Sequence, residues 1–494
     1  MFFFMDKPGV CTKIWIEEGA LMWKPTLIGA LAEIVGKQHV LGDPVDRKLY
    51  GYDATPFAPL VMPDAVVLPG CADEIARIVK LANQEKFPLV PRGAGTNLTG
   101  GARPIQGGVV LSTQRMNRII ELDADNLQVV VQPGVVTGQL QAFLEGKGLF
   151  YPPDPQSKDT CTIGGNLSEN AGGPRAVKYG VTRQYVLALQ CVLPDGSLVR
   201  LGARTMKSVV GFDLVSLLVG AEGMLGVITE ATLRLLPLPA CRGTLLVSFA
   251  RMETAGAAVA ELFREKLLPA AIEFMDRATL DCVRLAHPGV LPENVDAVLV
   301  VEVDGSREEV ERLTPRVAAV MERLGSATCR WTLDPKESES LWKARRAVSP
   351  ALGRIAPLKL NEDIVVPISR LPEAIRRIHE IGQKHRVTCA CFGHIGDGNI
   401  HVNFLVQPTE EERKRAELAV VELFELVISF GGSMSGEHGI GTAKQPFIEL
   451  ELSPPVLEAM RQIKRAWDPN DIMNPGKVFP IPAGDRRARV PEGA

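Results

Sequence analysis

The segment 392–439 sets the hardest condition on any fold this chain can adopt. It reads Phe392-Gly393-His394-Ile395-Gly396-Asp397-Gly398-Asn399-Ile400-His401-Val402-Asn403, then a helix-like run, then Gly436-Glu437-His438-Gly439. Three of the chain's seven histidines fall there, the third beside a carboxylate. His394 and His401 are seven residues apart, an odd spacing that a straight strand would put on opposite faces. Gly396-Asp397-Gly398 is turn chemistry, so a bend between two extended pieces can aim both imidazoles at one point. Glu437, arriving after the helix, would complete a set of two histidines and one carboxylate with an open position. That is the makeup of a catalytic divalent-metal site. His438 is left over beside it, free to act as a base. A closed structural zinc site would be richer in cysteine.

A length of 494 residues predicts two to four domains and ample core. The net charge of −3 points to no nucleic acid and no anionic membrane surface as partner. Nine cysteines are scattered without a CxxC spacing; Cys389 and Cys391 alternate on a strand-like segment and read as small core residues. An odd count with no secretory leader in view predicts a reducing, cytoplasmic setting. Residues 1–25 read as an N-terminal extension, with a helix starting at about residue 26. No apolar run reaches membrane-spanning length without a charge or breaker.

Helical spacing is predicted over 26–36 and from Asp73, taken as a cap, through Leu81. Strands are predicted at 65–69, 87–91, 109–111, 128–134, 185–193, 197–201 and 231–236. Pro237-Leu238-Pro239 is a plausible linker, after which strands at 245–248, 270–275 and 297–303 and helices at 255–265, 308–324, 341–349 and 411–430 suggest a second α+β unit. On the 341–349 helix Arg345 and Ser349 would share a face. Lys359, Asn361 and Asp363 alternate on one side of a strand over 358–366.

Three glycine-rich stretches interrupt these elements. Pro91-Arg92-Gly93-Ala94-Gly95-Thr96-Asn97 follows a strand directly, and its backbone N–H groups can turn inward as an anion-binding nest, with Arg92 and Thr96 as further donors. It is neither a GxGxxG fingerprint nor a Walker A loop. Residues 160–173, with four glycines, read as backbone brought close to a flat or phosphorylated ligand rather than as a core element. A third approach is Gly220-Ala221-Glu222-Gly223-Met224-Leu225-Gly226.

Pro91–Thr96, Thr162-Ile163-Gly164-Gly165-Asn166 and Gly220–Gly226 together resemble the FAD-binding domain of the vanillyl-alcohol oxidase/p-cresol methylhydroxylase (PCMH) type. Gly393–His401, Gly436-Glu437-His438-Gly439 and Asn474-Pro475-Gly476-Lys477 resemble its C-terminal partner, found in D-lactate dehydrogenases, D-2-hydroxyglutarate dehydrogenases and the FAD-binding subunit of glycolate oxidase. The likeness runs in order over about residues 26–480. It implies an α+β fold: a two-lobed PCMH-type FAD-binding domain over 26–238, then a substrate- and metal-binding cap over 239–465. Residues 466–480 would return to the FAD domain, and 481–494 would form a disordered tail.

The resemblance also implies residue roles. Pro91, Arg92, Gly93, Ala94, Gly95, Thr96 and Asn97 would cradle the FAD pyrophosphate. Pro152, Asp154, Thr162, Gly164, Gly165, Asn166, Gly172, Glu222, Gly226, Ile228 and Asn474 would line the rest. FAD is expected to be non-covalent: no histidine lies between His39 and His287, and a link through Cys161 or Cys191 is disfavoured. His394, His401 and Glu437 would hold a divalent metal, zinc foremost, and His438 would be the catalytic base. Arg345, Ser349, Lys359 and Asn403 would bind substrate, Arg345 clamping its carboxylate through a bidentate fork.

The expected activity is FAD-dependent oxidation of a D-2-hydroxy acid, D-lactate or glycolate favoured, by hydride transfer to flavin N5. D-2-Hydroxyglutarate is the alternative substrate, for whose second carboxylate Arg346 or Lys444 could serve. Outside redox chemistry, a metal-dependent hydrolase with a nucleotide-binding lobe uses similar residues, and a subunit that is redox-inert alone is a third option. The chain has no ferredoxin-type cysteine run, so electrons would pass to a quinone, electron-transfer flavoprotein, cytochrome or separate iron–sulfur subunit. The protein would be cytoplasmic, with a peripheral place at the inner membrane open to it through such an acceptor, and a homodimer is compatible.

Overall fold

The computed structural model describes residues 25–56, 58–286, 291–356 and 358–480. The N-terminal extension, apart from residue 25, and the 481–494 tail lie outside the described residues.

Short β-branched runs build the first half. A four-stranded sheet carries Ala65–Val67, Val109–Ser112 and Leu89–Arg92 side by side in parallel, with Val40–Leu41 antiparallel at its edge. Helix Ala72–Glu85 covers it with Ile75, Ile78, Val79 and Ala82. Its N-cap is Cys71 rather than the expected Asp73, which lies in the first turn where an acid complements the helix dipole. The second lobe is a five-stranded antiparallel sheet in the order Ile119–Asp123, Gln128–Val131, Val227–Arg234, Val186–Val192, Leu198–Gly202. The glycine-rich stretches leave strand Leu89–Arg92, precede strand Val186–Val192 and lead into strand Val227–Arg234.

The second half is organised on a seven-stranded antiparallel sheet. Its order is Thr328–Thr332, Cys241–Phe249, Ala297–Gly305, Ala271–Asp276, Thr388–Gly393, Asn399–Val406, Leu358–Val365. Strand periodicity gives it two different faces. One carries Leu245, Val247, Ile272, Phe274, Val402 and Phe404 in a core shared with helices Met252–Arg264, Arg307–Arg323, Leu371–His385 and Glu410–Ser429. The other is apolar only in part, where helices Arg277–Ala286 and Val348–Ile355 pack on Met275, Val300 and Ala390. The rest of that face is polar and buried: Glu273, His401, Asn403 and Asp363 are each at most 6% exposed.

The expected 341–349 helix is two helices, Pro335–Arg346 and Val348–Ile355, so Arg345 and Ser349 sit on separate elements. Downstream, helix Pro454–Trp467 leads to a strap that crosses back to the first half. Met473 bridges Leu89 in parallel, and the Asn474 N–H donates to the Leu89 carbonyl at 2.7 Å.

Candidate active site

The histidines meet because the chain bends at one glycine. Strand Thr388–Gly393 ends, His394 occupies the turn, and strand Asn399–Val406 returns. Gly398 makes the bend with φ of 86°, and a Cβ there would lie 2.0 Å from the Val366 carbonyl oxygen, so no other residue fits. His401 sits opposite Asp363 on the neighbouring strand. Helix Glu410–Ser429 then carries the chain to Ser433, which bridges Val365, and the following loop wraps over Asp363. One Asp363 oxygen, Oδ2, accepts the backbone N–H groups of Gly436, Glu437 and His438 at 2.9, 2.8 and 2.9 Å. Asn399 donates to Oδ1 at 2.6 Å. Burial would push the Asp363 carboxyl up, but His438, Lys444 and His401 outweigh it and hold it far below the carboxylate range.

Those restraints bring the expected metal set together. His394 Nε2 lies 3.3 Å from Glu437 Oε1, His401 Nε2 3.5 Å from the same oxygen, and the two Nε2 atoms are 3.4 Å apart. Ligands of a tetrahedral ion with bonds of about 2.0–2.1 Å are separated by about 3.3–3.4 Å, so the triangle has the right size for zinc. Its donors have the right form too. His394 Nδ1 faces Glu273 Oε1 at 2.5 Å, which leaves Nε2 to present a lone pair, a carboxylate–histidine arrangement common behind metal ligands. Burial pulls the His394 pKa down, but Glu273 and Glu437 outweigh it and raise it well above its ordinary value; a cation would take that proton's place. His401 is driven the other way, to about 3, by burial and by His394, which keeps it neutral and able to coordinate. His438 stacks on His401 at 5.3 Å and an interplanar angle of 9°. Its Nε2 is 4.0 Å from Glu437 Oε1, and its Nδ1 is buried without a partner.

Of the cluster, Glu437 and His438 line a cleft of about 330 Å³, with His394 and His401 set behind them. The same cleft is lined by Pro91, Arg92, Gly93, Ala94, Gly95, Thr96 and Asn97, by Thr162, Gly164, Gly165 and Asn166, and by Glu222, Gly226 and Ile228. The 160–173 stretch differs from expectation: part of it is helix Ile163–Glu169, N-capped by Thr162, whose Oγ1 accepts from the Gly165 N–H at 3.4 Å. A Cβ on Gly93 would sit 2.3 Å from that Oγ1, so loop and helix start are in contact. The Arg92 guanidinium is committed to the protein, donating to the Tyr52 carbonyl at 2.7 Å and stacking over Tyr50.

The remaining expected cofactor residues lie behind the cleft. A Cβ on Gly172 would meet Glu437 Oε2 at 3.0 Å, so this glycine leaves room for the metal-set carboxylate. Asp154 pairs with Arg175 at 3.4 Å, beside the buried Pro152. Asn474 donates to the carbonyls of Gly101 and Glu222 and ties the strap to the cleft wall. Cys161 and Cys191 are buried and are absent from the lining.

The expected substrate residues occupy the polar sheet face. Arg345, 2% exposed, pairs with Glu273 Oε2 at 2.5 Å and lies 4.8 Å over the Phe392 ring, with Nε unpartnered. Asn403 accepts from Asn361 at 2.9 Å. Lys359 donates to Ser349 Oγ at 2.8 Å, and burial lowers its pKa. Lys359 and Asp363 are four residues apart on one strand, roughly 13 Å at strand rise.

Four acids hold this site: Glu273 and Glu169, which the sequence reading passed over, Asp363, which it placed only on a strand face, and Glu222, which it expected at the cofactor. Glu273 orients both His394 and Arg345, and Asp363 pins the Glu437–His438 loop. Glu222 accepts the N–H groups of Ile440 and Gly441 at 2.7 Å each, and burial and Glu222 together push the Glu169 carboxyl well above its ordinary value. A lone acid in the apolar run Ala270-Ala271-Ile272-Glu273-Phe274 was the available signal for Glu273.

Fold and cleft define a two-domain flavoprotein. Residues 63–202 match the FAD binding domain family, and 238–478 match the family of FAD linked oxidases, C-terminal domain. The chain belongs to this FAD-linked oxidase family and is an FAD-dependent oxidoreductase of the D-lactate, glycolate and D-2-hydroxyglutarate dehydrogenase group. It is 41% identical to glycolate oxidase subunit GlcD of Bacillus subtilis over 93% of this chain and 97% of that protein. It is 36% identical to D-2-hydroxyglutarate dehydrogenase of Stutzerimonas stutzeri, covering 93% and 100%, and 35% identical to D-lactate dehydrogenase of Anaerostipes hadrus, covering 92% and 97%. The fold is also that of p-cresol methylhydroxylase, with a TM-score of 0.78, 19% identity and coverage of 92% and 96%. Among the described residues no helix is long and apolar enough to cross a membrane.

Proposed function

We propose that this protein oxidises a small D-2-hydroxy acid, D-lactate or glycolate, to the 2-oxo acid at the junction of the cleft and the histidine cluster. The observation that carries the reading is the 3.3–3.5 Å triangle of His394, His401 and Glu437 standing with His438 at the end of the cleft. When bound, FAD along the cleft supplies a hydride acceptor at N5, and a divalent ion on the triangle, zinc foremost, supplies a Lewis acid that lowers the pKa of the substrate hydroxyl. His438 takes the hydroxyl proton; it lines the cleft, and His401 stacks on it to fix its ring. Arg345 binds the substrate carboxylate, held in place by Glu273 and Phe392. Asn403, Ser349 and Lys359 extend the polar surface away from the cluster.

Neither of the extra cations that a second substrate carboxylate could use lines the cleft, which favours a monocarboxylate. Arg346 pairs with Glu339, and Lys444 donates to the carbonyls of Asp363 and Met434. One observation favours D-2-hydroxyglutarate instead: the polar stripe from Asp363 to Lys359 is longer than lactate. Dye reduction across a panel of D- and L-2-hydroxy acids tests the reading. Highest kcat/KM with D-lactate or glycolate is expected; no activity with any D-2-hydroxy acid or glycolate overturns it. Electrons then pass to a separate acceptor.

A further inference from the structure

The face of the seven-stranded sheet turned away from the cluster carries a second convergence of ligand-type side chains. Cys389 and Cys391 project from strand Thr388–Gly393 with their sulfurs 3.5 Å apart. His379, on helix Leu371–His385, places Nε2 3.5 Å from Asp276 Oδ2. Donor atoms of His379, Asp276 and Cys391 all lie within 4.8 Å of one another. Helix and strand approach closely because residue 382 is glycine, where a Cβ would be 3.1 Å from the Cys389 Cβ. A pocket of about 310 Å³, whose lining includes His379, Gly382, Arg386 and Cys389, reaches the outer side of the group, while Cys391 and Asp276 lie buried behind it.

We infer that Cys389, Cys391, His379 and Asp276 form a structural zinc site. Two sulfur ligands of tetrahedral zinc, each at about 2.3 Å, stand about 3.8 Å apart, and a nitrogen–oxygen pair about 3.3 Å apart, so both measured edges need shifts of only a few tenths of an ångström. Cys389 Sγ stands outside the 4.8 Å group made by the other three and joins it by swinging in from beside Cys391; with it, four protein ligands leave no open position, the mark of a structural rather than catalytic ion. Two thiolates select a soft metal over magnesium or calcium. Binding releases two thiol protons to solvent and forms two Zn–S bonds, with no change of oxidation state. The ion also answers a charge problem. Asp276 is 1% exposed; the Thr279 N–H donates to its Oδ1 at 2.9 Å and the Cys391 N–H to its Oδ2 at 2.7 Å, but its ion-pair partner His379 has a side chain 37% exposed, so its charge is only partly met. Strand Thr388–Gly393 runs directly into His394, so such an ion would clamp helix Leu371–His385 to the strand that aims the active-site imidazole.

The test is zinc K-edge X-ray absorption with metal analysis on the FAD-loaded chain carrying His401→Ala and Glu437→Ala, which removes two donors both from the His394–His401–Glu437 triangle and from the Asp363, His401, Glu437 and His438 group beside it. Zinc with a sulfur shell at about 2.3 Å is expected, falling by one ion per chain on adding Cys391→Ser. His379→Ala, a change at a part-exposed helix position that leaves folding intact, should weaken zinc binding at least ten-fold. Zinc ligated by nitrogen and oxygen alone, no zinc retained, a Cys389–Cys391 disulfide in the reduced preparation, or unchanged affinity in His379→Ala would each overturn the site. None of these outcomes depends on hydroxy-acid oxidation.

Discussion

Removing the Asp363 carboxylate should disable the site from behind. In Asp363→Ala, the backbone N–H groups of Gly436, Glu437 and His438 lose the single oxygen they share at 2.8–2.9 Å. The Gly436 N–H keeps the Asp363 backbone carbonyl at 3.3 Å, so two donors are left unpaired, and at about 1–3 kcal/mol each they cost about 2–6 kcal/mol where water does not replace the carboxylate. Asp363→Asn keeps an oxygen but loses the charge, and with it roughly half the strength of each bond; a cost of about 2 kcal/mol is expected. The loop also carries a metal-set ligand and the base, and a displacement of about 1 Å costs roughly a hundred-fold in rate. Urea unfolding followed by fluorescence, with stopped-flow reduction of the bound flavin, measures both effects. The pH dependence follows from the depressed pKa of Asp363: its stabilisation is complete above the unfolded value of about 3.9 and is lost only as pH falls towards the lower folded value. The variant's deficit should therefore be constant from pH 5 to 8 and shrink only in acid. An Asp363→Ala protein with wild-type flavin reduction would refute the reasoning.

Other perturbations separate cleft, base and wall. His438→Ala should leave FAD bound and slow flavin reduction by about 10²–10⁴-fold, read in single turnovers. Gly93→Ala drives a Cβ into the Thr162 hydroxyl at 2.3 Å and should weaken FAD affinity at least about ten-fold by fluorescence titration, with the cap domain's unfolding unchanged. Glu169, raised by burial and by Glu222, loses stabilisation as pH climbs above its unfolded value of about 4.3. Glu169→Gln should therefore gain stability over wild type at pH 8 compared with pH 4, by urea midpoint.

The site was legible where a residue's own chemistry is unusual for its position. Histidines around a glycine turn, a Glu-His pair between glycines and a nest-forming loop announce themselves locally. Asp363 did not: alternation placed it on a strand face, but its partners are backbone groups more than seventy residues on, which no spacing reveals. The surroundings of Arg345 were not legible either, because only the tertiary fold supplies Glu273 and Phe392. The break at Ala347 was hidden for a related reason: helical spacing continues across it, and the turn is set by packing of Val348, Ala351 and Leu352 on the sheet. The 160–173 stretch was misread in part because glycine content outweighed the Thr162 cap signal.

The account rests on a metal at His394, His401 and Glu437 presenting a 2-hydroxy acid to the flavin. The direct measurement is anaerobic bleaching of the yellow FAD-loaded chain by D-lactate or glycolate, before and after chelation verified by elemental analysis. The account predicts that the chelated protein stays yellow and bleaches again when stoichiometric zinc is returned. Bleaching at the full rate with no metal bound would contradict it.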